Sequence, residues 1–197
     1  MQQEDASPII PFITWKPNYD CIVHLINCQH QGILRFINAW YTDISRNKVT
    51  NFQSIDYMRK KFKFLELFSD THFAFEDTML HILLQKFGFP QNVFDGHLLA
   101  HSKFVNNFMR PLEAQVEIFE QSQKSEMVEN LVSEALFDVA RWWYNHIRDA
   151  TGANRTSYDH YYRVFIERLP ERDKIALFND LIMFVEKCPQ QFSCSNW

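Results

Sequence analysis

Two histidines in the segment FDGHLLAHSKF, His97 and His101, have the spacing of a metal-binding pair on a helix. Residues i and i+4 of an α-helix lie on one face, about 6 Å apart along the axis, so two imidazoles at this spacing can bind one ion. The same spacing also suits two unrelated polar residues on a solvated face. Because the chain has 8 histidines, the pair alone does not decide between these two interpretations.

Four further side chains that can bind a metal ion, three imidazoles and one carboxylate, occur at positions where the helical pattern predicts that they point inward. His72 and Glu76 repeat the i, i+4 spacing in the preceding segment. His30 follows the apolar period of an earlier segment, and His146 falls on the apolar stripe of a later one. Buried polar groups destabilise a fold unless they are paired, so five inward imidazoles and one carboxylate predict a shared role. Donors of this type and number fit two first-row transition metals.

The apolar periodicity predicts the helices that would position these side chains. The chain has only 4 glycines, which favours long helices with short connections over a many-stranded fold. The predicted helices cover about residues 19–45, 51–87, 90–121 and 125–151. We therefore predict an all-α fold, an antiparallel up-down-up-down four-helix bundle. The chain contains no Glu-x-x-His motif, so the ferritin-like di-iron site is not expected.

The sequence divides into three parts. Its first prolines predict an extended N-terminal arm over residues 1–18, and the bundle follows over residues 19–151. Residues 152–197 contain two amphipathic segments, which predict additional C-terminal helices. Two interpretations of this C-terminal extension stay open. It covers the open end of the bundle, or it forms a surface for an oligomer or a signalling partner.

Charge and composition argue against several classes of partner. The net charge of −4 disfavours a nucleic-acid-binding role, which normally needs a basic face. No apolar run is long enough to span a bilayer, and the acidic start of the chain does not have the pattern of a secretory signal. None of the 4 cysteines forms a CxxC pair, so we expect free thiols in a reducing cytoplasm.

In combination, the motifs resemble those of the hemerythrins, particularly the bacterial ones, over about residues 13–151. Four pieces carry this resemblance, in the order and at the spacing of the family. They are a Trp-then-Tyr lead into Gln29–His30, HFxxE from His72 to Glu76, an aromatic-Pro followed by HxxxHxxF from His97 to Phe104, and WxxNHI from Trp142 to Ile147.

The resemblance implies a non-heme di-iron centre that binds O2 reversibly. It assigns three histidines to one iron and two to the other, with Glu76 as the bridge. The groups are His97, His101 and His146 on the first iron, and His30 and His72 on the second. The less-coordinated iron would bind O2 in an apolar pocket. The positions that match the family's pocket are Ile33, Trp142, Trp143 and Ile147.

Two positions depart from the family pattern. The second bridging Asp of the family, five residues after the last histidine, is replaced by Thr151. Asp149 is the nearest acid and would lie about 60° around a regular helix from His146. Two interpretations stay open: Asp149 is the second carboxylate bridge, or it is a solvated helix-end residue and water or hydroxide bridges instead. Trp143 stands where the family commonly has Leu, and its larger ring would narrow the pocket.

From these features we expect reversible O2 binding, for storage, delivery or sensing, rather than an enzyme. One alternative is a di-iron redox enzyme, such as an oxidase, a peroxidase or an NO-handling protein, which needs a proton source beside the metals. A second alternative is a redox signalling module that acts through the C-terminal helices. Manganese or a mixed metal pair also fits the donors.

Overall fold

The described residues of the chain are helical apart from short connections. The computed structural model describes residues 13–45, 53–121, 126–148 and 158–187. The helices are α1 (His24–Ser45), α2 (Gln53–Phe87), α3 (Gln91–Phe104), α4 (Arg110–Gln121), α5 (Glu126–Ile147), α6 (Tyr158–Arg168) and α7 (Glu171–Lys187), with a π-helical turn (Val105–Met109) between α3 and α4 and a 3₁₀ turn (Pro17–Tyr19) before α1. No strand occurs within these ranges, and the predicted all-α class is confirmed.

Helix α1 begins five residues later than the sequence predicts, because side chains hold the preceding residues in a loop. The Asp20 carboxylate accepts hydrogen bonds from the Ile22 backbone N–H (2.7 Å) and the Asn27 side-chain amide (2.9 Å). The Asn27 carbonyl oxygen in turn accepts one from the Cys21 N–H (3.0 Å). This network places Ile22 at a φ of 70°, a left-handed conformation that is strained for a β-branched residue.

Relief of this strain should stabilise the protein. Left-handed backbone costs a non-glycine residue on the order of 1–3 kcal/mol, and glycine returns part of that gain through its larger unfolded-state entropy. Ile22 is 38% exposed, so its truncation also removes some buried apolar surface, and Ile22→Ala removes nearly the same surface as Ile22→Gly. We expect the free energy of unfolding of Ile22→Gly to be about 1 kcal/mol higher than that of Ile22→Ala in urea denaturation. Ile22→Ala is the matched control, and equal free energies of unfolding in the two variants would contradict the explanation.

Helix α2 ends at Phe87, as the sequence predicts. Gly88 adopts a φ of 74°, which a residue with a Cβ rarely accepts. The next N–H, that of Phe89, donates a hydrogen bond to the Leu83 carbonyl (3.2 Å), and the Phe89 ring is buried. The turn connects α2 to α3, the two helices contact each other, and the His97 and His101 side chains of α3 lie close to Glu76 of α2.

The third predicted helix is interrupted by the π-helical turn. Pro111 has no N–H, and its ring conflicts with the carbonyl four residues earlier in a regular helix. The chain widens just before it, and the Arg110 N–H donates to the Val105 carbonyl, five residues back. The extra residue shifts the register of α4 relative to α3. The buried residues of α3 include His97 and His101, whereas the buried residues described in α4, Leu112 and Val116, are apolar.

Two apolar cores hold the helices together. The first core contains side chains from each of the helices α1, α2, α3, α4 and α5. It is dominated by large aromatic side chains, among them Trp40, Phe68, Phe104 and Trp143. The second core joins α1 and α2 to the C-terminal helices α6 and α7 through residues such as Ile26, Met79, Tyr162 and Leu177. The two C-terminal helices are therefore packed into the same fold as α1 and α2. In addition, α6 contacts α3 and α5. None of the helices in the described ranges is long and apolar enough to cross a membrane.

Candidate metal centre

Six buried side chains from four helices meet between the two cores. We call this group the His/Glu cluster; it consists of His30 from α1, His72 and Glu76 from α2, His97 and His101 from α3, and His146 from α5. Their ligand atoms form two groups that share Glu76, and within each group all ligand atoms lie within 4.8 Å of one another. The groups are Glu76 with His30, His72 and His146, and Glu76 with His97 and His101. The cluster can hold a metal ion.

His146 lies close to both groups. The resemblance assigns it to the iron of His97 and His101, whereas its ligand atom falls within the group of His30 and His72. Its ring centroid is 5.4 Å from that of His101 and 5.9 Å from that of His72. The imidazole of α5 thus stands between the pair from α3 and the pair from α1 and α2.

The Glu76 carboxylate is the centre of the cluster. Its Oε2 atom lies 3.2–3.3 Å from four imidazole nitrogens, the Nε2 atoms of His72, His97, His101 and His146. Its Oε1 atom lies 3.8 Å from the His30 Nε2 and accepts a hydrogen bond of 3.1 Å from the Tyr162 hydroxyl. One carboxylate oxygen cannot accept four well-formed hydrogen bonds, so this crowding needs another explanation.

Two hydrogen bonds on the far side of the rings orient the imidazoles. The His101 Nδ1–H donates to the Asp77 carboxylate (3.0 Å), and the His72 Nδ1–H donates to the Gln29 side-chain oxygen (3.0 Å). Because a carboxylate only accepts, the neutral His101 ring carries its proton on Nδ1 and presents a lone pair on Nε2. Partners of this kind hold histidine ligands in position at metal sites.

The donor set therefore fits a metal ion. Within the described residues, His97 Nδ1, His97 Nε2 and His101 Nε2 are buried without a hydrogen-bond partner, although both Nε2 atoms lie 3.3 Å from Glu76. A buried polar atom left unsatisfied costs about 1–3 kcal/mol, and lone pairs that face a carboxylate oxygen repel it. A cation bound between the two Nε2 atoms and Glu76 removes both costs at these Nε2 atoms. Neither cysteine in the described part of the chain, Cys21 or Cys28, belongs to the cluster.

The electrostatics of the cluster favour the protonation state that metals bind. Burial, reinforced by the neighbouring His72, holds the His30 pKa well below its ordinary value. Burial also lowers the His72 pKa, and it lowers that of His97 to about 4. Burial alone would raise the Glu76 pKa, but the surrounding imidazoles, His72 first, hold it well below 4.5. Neutral imidazoles and an ionised carboxylate thus coexist at neutral pH, as metal ligation requires.

These shifts predict that the metal-free protein loses stability in mild acid. As the pH falls below about 6.5, the unfolded chain binds protons at His30, His72 and His97 before the folded chain does, so stability falls with pH. Each such histidine contributes up to about 1.4 kcal/mol per pH unit. Below 4.5 the Glu76 carboxylate adds to the loss, because its folded pKa is depressed.

The measurement is urea denaturation of chelator-treated protein between pH 7.5 and pH 5. We expect His97→Gln to flatten the pH dependence. His81→Gln, on the exposed face of α2, is the matched control and should leave it unchanged. An unfolding free energy that does not change over this range would contradict the electrostatic account of the cluster.

Aromatic and aliphatic side chains wall the cluster. The Trp142 ring stacks on His146 (centroids 4.7 Å apart), and the Phe73 ring stacks on His101 (3.8 Å). The fully buried Trp143 ring lies 5.2 Å from His72. The other two positions assigned to the O2 pocket, Ile33 and Ile147, are buried in the first core, as is Trp143. The pocket assignment itself stays a prediction.

Three polar neighbours of the cluster have roles that sequence reasoning did not assign. Asp77 is the hydrogen-bond partner of His101. In the sequence, the only indication of this role is that an acidic residue directly follows Glu76 of the HFxxE motif. Gln29 belongs to a quoted motif, but its contact with His72 joins α1 to α2 and depends on packing. Tyr162 lies 86 residues beyond Glu76 in the chain, so no local pattern connects the two. Asp149 and Thr151 lie outside the described residues, and the interpretation of Asp149 stays a prediction.

Comparison of the chain with protein-family models, with curated proteins and with solved structures yields no match. The geometry and chemistry of the residues themselves are therefore what support a metal site.

Proposed function

We propose that this protein is a non-heme di-iron protein that binds O2 reversibly, for storage, delivery or sensing. The observation that carries the proposal is one buried carboxylate, Glu76, shared by two groups of buried imidazoles. Two metal ions held side by side need such a shared ligand, since it offsets part of their mutual repulsion. The hemerythrin-like motifs of the sequence supply the identity of the metal and of the ligand.

The His/Glu cluster would hold the two ions, with Glu76 between them. Imidazole and carboxylate donors without thiolate suit iron, and they do not suit copper(I) or iron–sulfur chemistry. When bound, the iron pair supplies the redox change and the open coordination position that O2 binding requires. The task of the chain is to keep five imidazoles oriented, which the contacts with Asp77 and Gln29 accomplish for two of them.

The walls of the cluster support binding of a small apolar molecule. Trp143 and Phe73 place apolar rings against the imidazoles, and both side chains are buried. Such walls keep bulk water and its protons away from a bound ligand, so they favour reversible binding over turnover.

The helix contacts agree with a four-helix bundle around the cluster. We propose that α1, α2, the α3–α4 pair and α5 form an antiparallel up-down-up-down bundle. In support, α1 contacts α2 and α5, α2 contacts α3 and α4, and α4 contacts α5, so the contacts close a ring. The short connection between α2 and α3 also favours antiparallel neighbours.

A second candidate is a di-iron redox enzyme, and one contact favours it. The side chain of Asp77 is 35% exposed and is joined to His101, whose other nitrogen faces Glu76. A solvent-accessible carboxylate one imidazole away from the cluster is a possible source of protons for oxidase, peroxidase or NO-handling chemistry. The redox-signalling alternative rests on the C-terminal helices, because α6 contacts α3 and α5, which carry three of the histidines.

The experiment is visible absorption of anaerobically iron-loaded protein while O2 is admitted and then removed, together with metal analysis. We expect two irons per chain and a charge-transfer band that appears with O2 and fades on its removal. His101→Gln should lose the band, and the exposed His81→Gln should retain it. Irreversible oxidation with rapid turnover of peroxide or NO would favour the enzyme. A change of oligomeric state between the reduced and oxidised protein would favour signalling.

A further inference from the structure

The C-terminal helix α6 delivers a polar side chain to the His/Glu cluster. The Tyr162 hydroxyl lies 3.1 Å from the Glu76 Oε1 atom, and the whole Tyr162 side chain is buried. This oxygen of Glu76 is also the one nearer to His30, whose Nε2 lies 3.8 Å away. A phenol therefore stands on the His30 side of the shared carboxylate.

Several contacts hold α6 in this position. Tyr158, at the start of α6, packs edge-on against the His97 ring, and its hydroxyl passes so close to Gly96 that a Cβ there would lie 2.7 Å from it. Arg163 donates a hydrogen bond to the backbone carbonyl of Asp20 (3.3 Å). Further along the helix, Ile166 is buried in the second core. Tyr162 is thus held from both sides, next to the cluster.

The charge of the cluster calls for another anionic donor. Two divalent ions bring four positive charges into a buried site, and Glu76 is the only carboxylate in the groups of ligand atoms that the described residues form. Among the described residues, Asp77 is another acid beside the cluster, but it accepts the hydrogen bond of His101 on the outer side of that ring. Buried charge that is not compensated is strongly unfavourable, so an anionic ligand at this place stabilises the bound metals.

We propose that Tyr162 is a further metal ligand, which supplies a phenolate oxygen to the metal ion on the His30 side of Glu76. The proposal rests on the proposed di-iron function. Neighbouring donors on one metal with bonds of about 2.1 Å at right angles are about 3.0 Å apart, close to the 3.1 Å between the Tyr162 and Glu76 oxygens. When the ligand bond forms, the O–H bond of the phenol breaks, the oxygen keeps the electron pair, and the proton is released to solvent.

The test uses the full-length protein, loaded with iron under anaerobic conditions and then oxidised to the ferric state. Ferric iron bound to a phenolate has an intense visible charge-transfer band, and resonance Raman excitation within it enhances tyrosinate ring vibrations. We expect both signals in the wild type and in Tyr161→Phe, whose side chain is 46% exposed on the same helix. We expect Tyr162→Phe to lose both and to bind iron at least tenfold more weakly. Circular dichroism checks that this variant keeps its helical content.

The outcomes separate this proposal from the proposed function. If the wild type binds iron but has no tyrosinate signal, or if the signal survives in Tyr162→Phe, the assignment of Tyr162 is overturned and the di-iron function stands. Weaker iron binding in Tyr162→Phe without any tyrosinate signal in the wild type also overturns it, because a hydrogen bond to Glu76 then explains the loss. If the wild type binds no iron, both proposals fall.

Discussion

Glu76→Gln is expected to abolish binding of the metal pair, with bound iron falling from two ions per chain to one or none. Gln has nearly the shape of Glu but has no negative charge, and its amide nitrogen cannot ligate a metal. The carboxylate is the one group common to both sets of ligand atoms, and one of its oxygens lies within 3.3 Å of four imidazole nitrogens. Its loss therefore removes a ligand from both ions and the charge that offsets their repulsion.

Metal analysis after anaerobic loading and desalting measures this effect directly. Glu66→Gln is the matched control and should retain two irons. Glu66 lies ten residues before Glu76 on α2 and is not part of the cluster. Thermal unfolding supplies a second readout, since a ligand that binds only the folded state stabilises it by about 4 kcal/mol at a thousandfold excess over its Kd. This metal-dependent stabilisation should be much smaller in Glu76→Gln than in the wild type. Retention of two irons in that variant would refute the shared-carboxylate arrangement.

Asp77→Asn should lower iron affinity by about 10- to 100-fold while the stoichiometry at saturating iron stays unchanged. The Asp77 carboxylate accepts the Nδ1–H of His101 at 3.0 Å, which fixes the ring orientation and would make Nε2 a stronger donor to a bound metal. The amide of Asn can keep the hydrogen bond but provides no negative charge. The effect therefore reports the electrostatic part of the interaction.

Competition with a metal chelator gives the affinities of the wild type and the variant. Asp70→Asn, at an exposed position of the same helix, is the control and should bind iron as the wild type does. The Nε2 of His97, the other histidine of α3, lies 3.9 Å from the Asp77 carboxylate, beyond hydrogen-bond distance, so only the His101 side should weaken. An affinity equal to that of the wild type would show that Asp77 is a surface acid without influence on the cluster.

Local patterns were sufficient for the fold class and for the inward faces of the helices that carry the six side chains. A period of 3.6 residues and few glycines predict long helices, and the i, i+4 pairs His72–Glu76 and His97–His101 lie on one face of a helix wherever that helix packs. The end of α2 at Gly88 was equally predictable, because only a glycine adopts that backbone conformation without strain. These features depend on residues that are neighbours in the chain.

Other boundaries depended on side chains that compete with the backbone. The apolar pattern before His24 continues the helical period, yet Asp20 and Asn27 bind backbone N–H groups there and hold a loop. Likewise, the apolar pattern continues through Pro111, but because proline has no N–H, a π-helical turn forms just before it. The hydrophobic period includes neither effect, so the predicted start of α1 was wrong and the π-helical turn inside the third predicted helix was not foreseen.

By itself, the sequence determined that this protein is helical and that its buried faces carry imidazoles and a carboxylate, because both properties follow from spacing within single helices. Only the tertiary structure decided which groups surround Glu76. The approach of Tyr162 from α6, the partnership of Asp77 with His101 and the position of His146 between two groups all join residues that are far apart in the chain or on different helices. These contacts depend on how the helices pack around the two cores, and the apolar pattern of a single helix does not predict that packing.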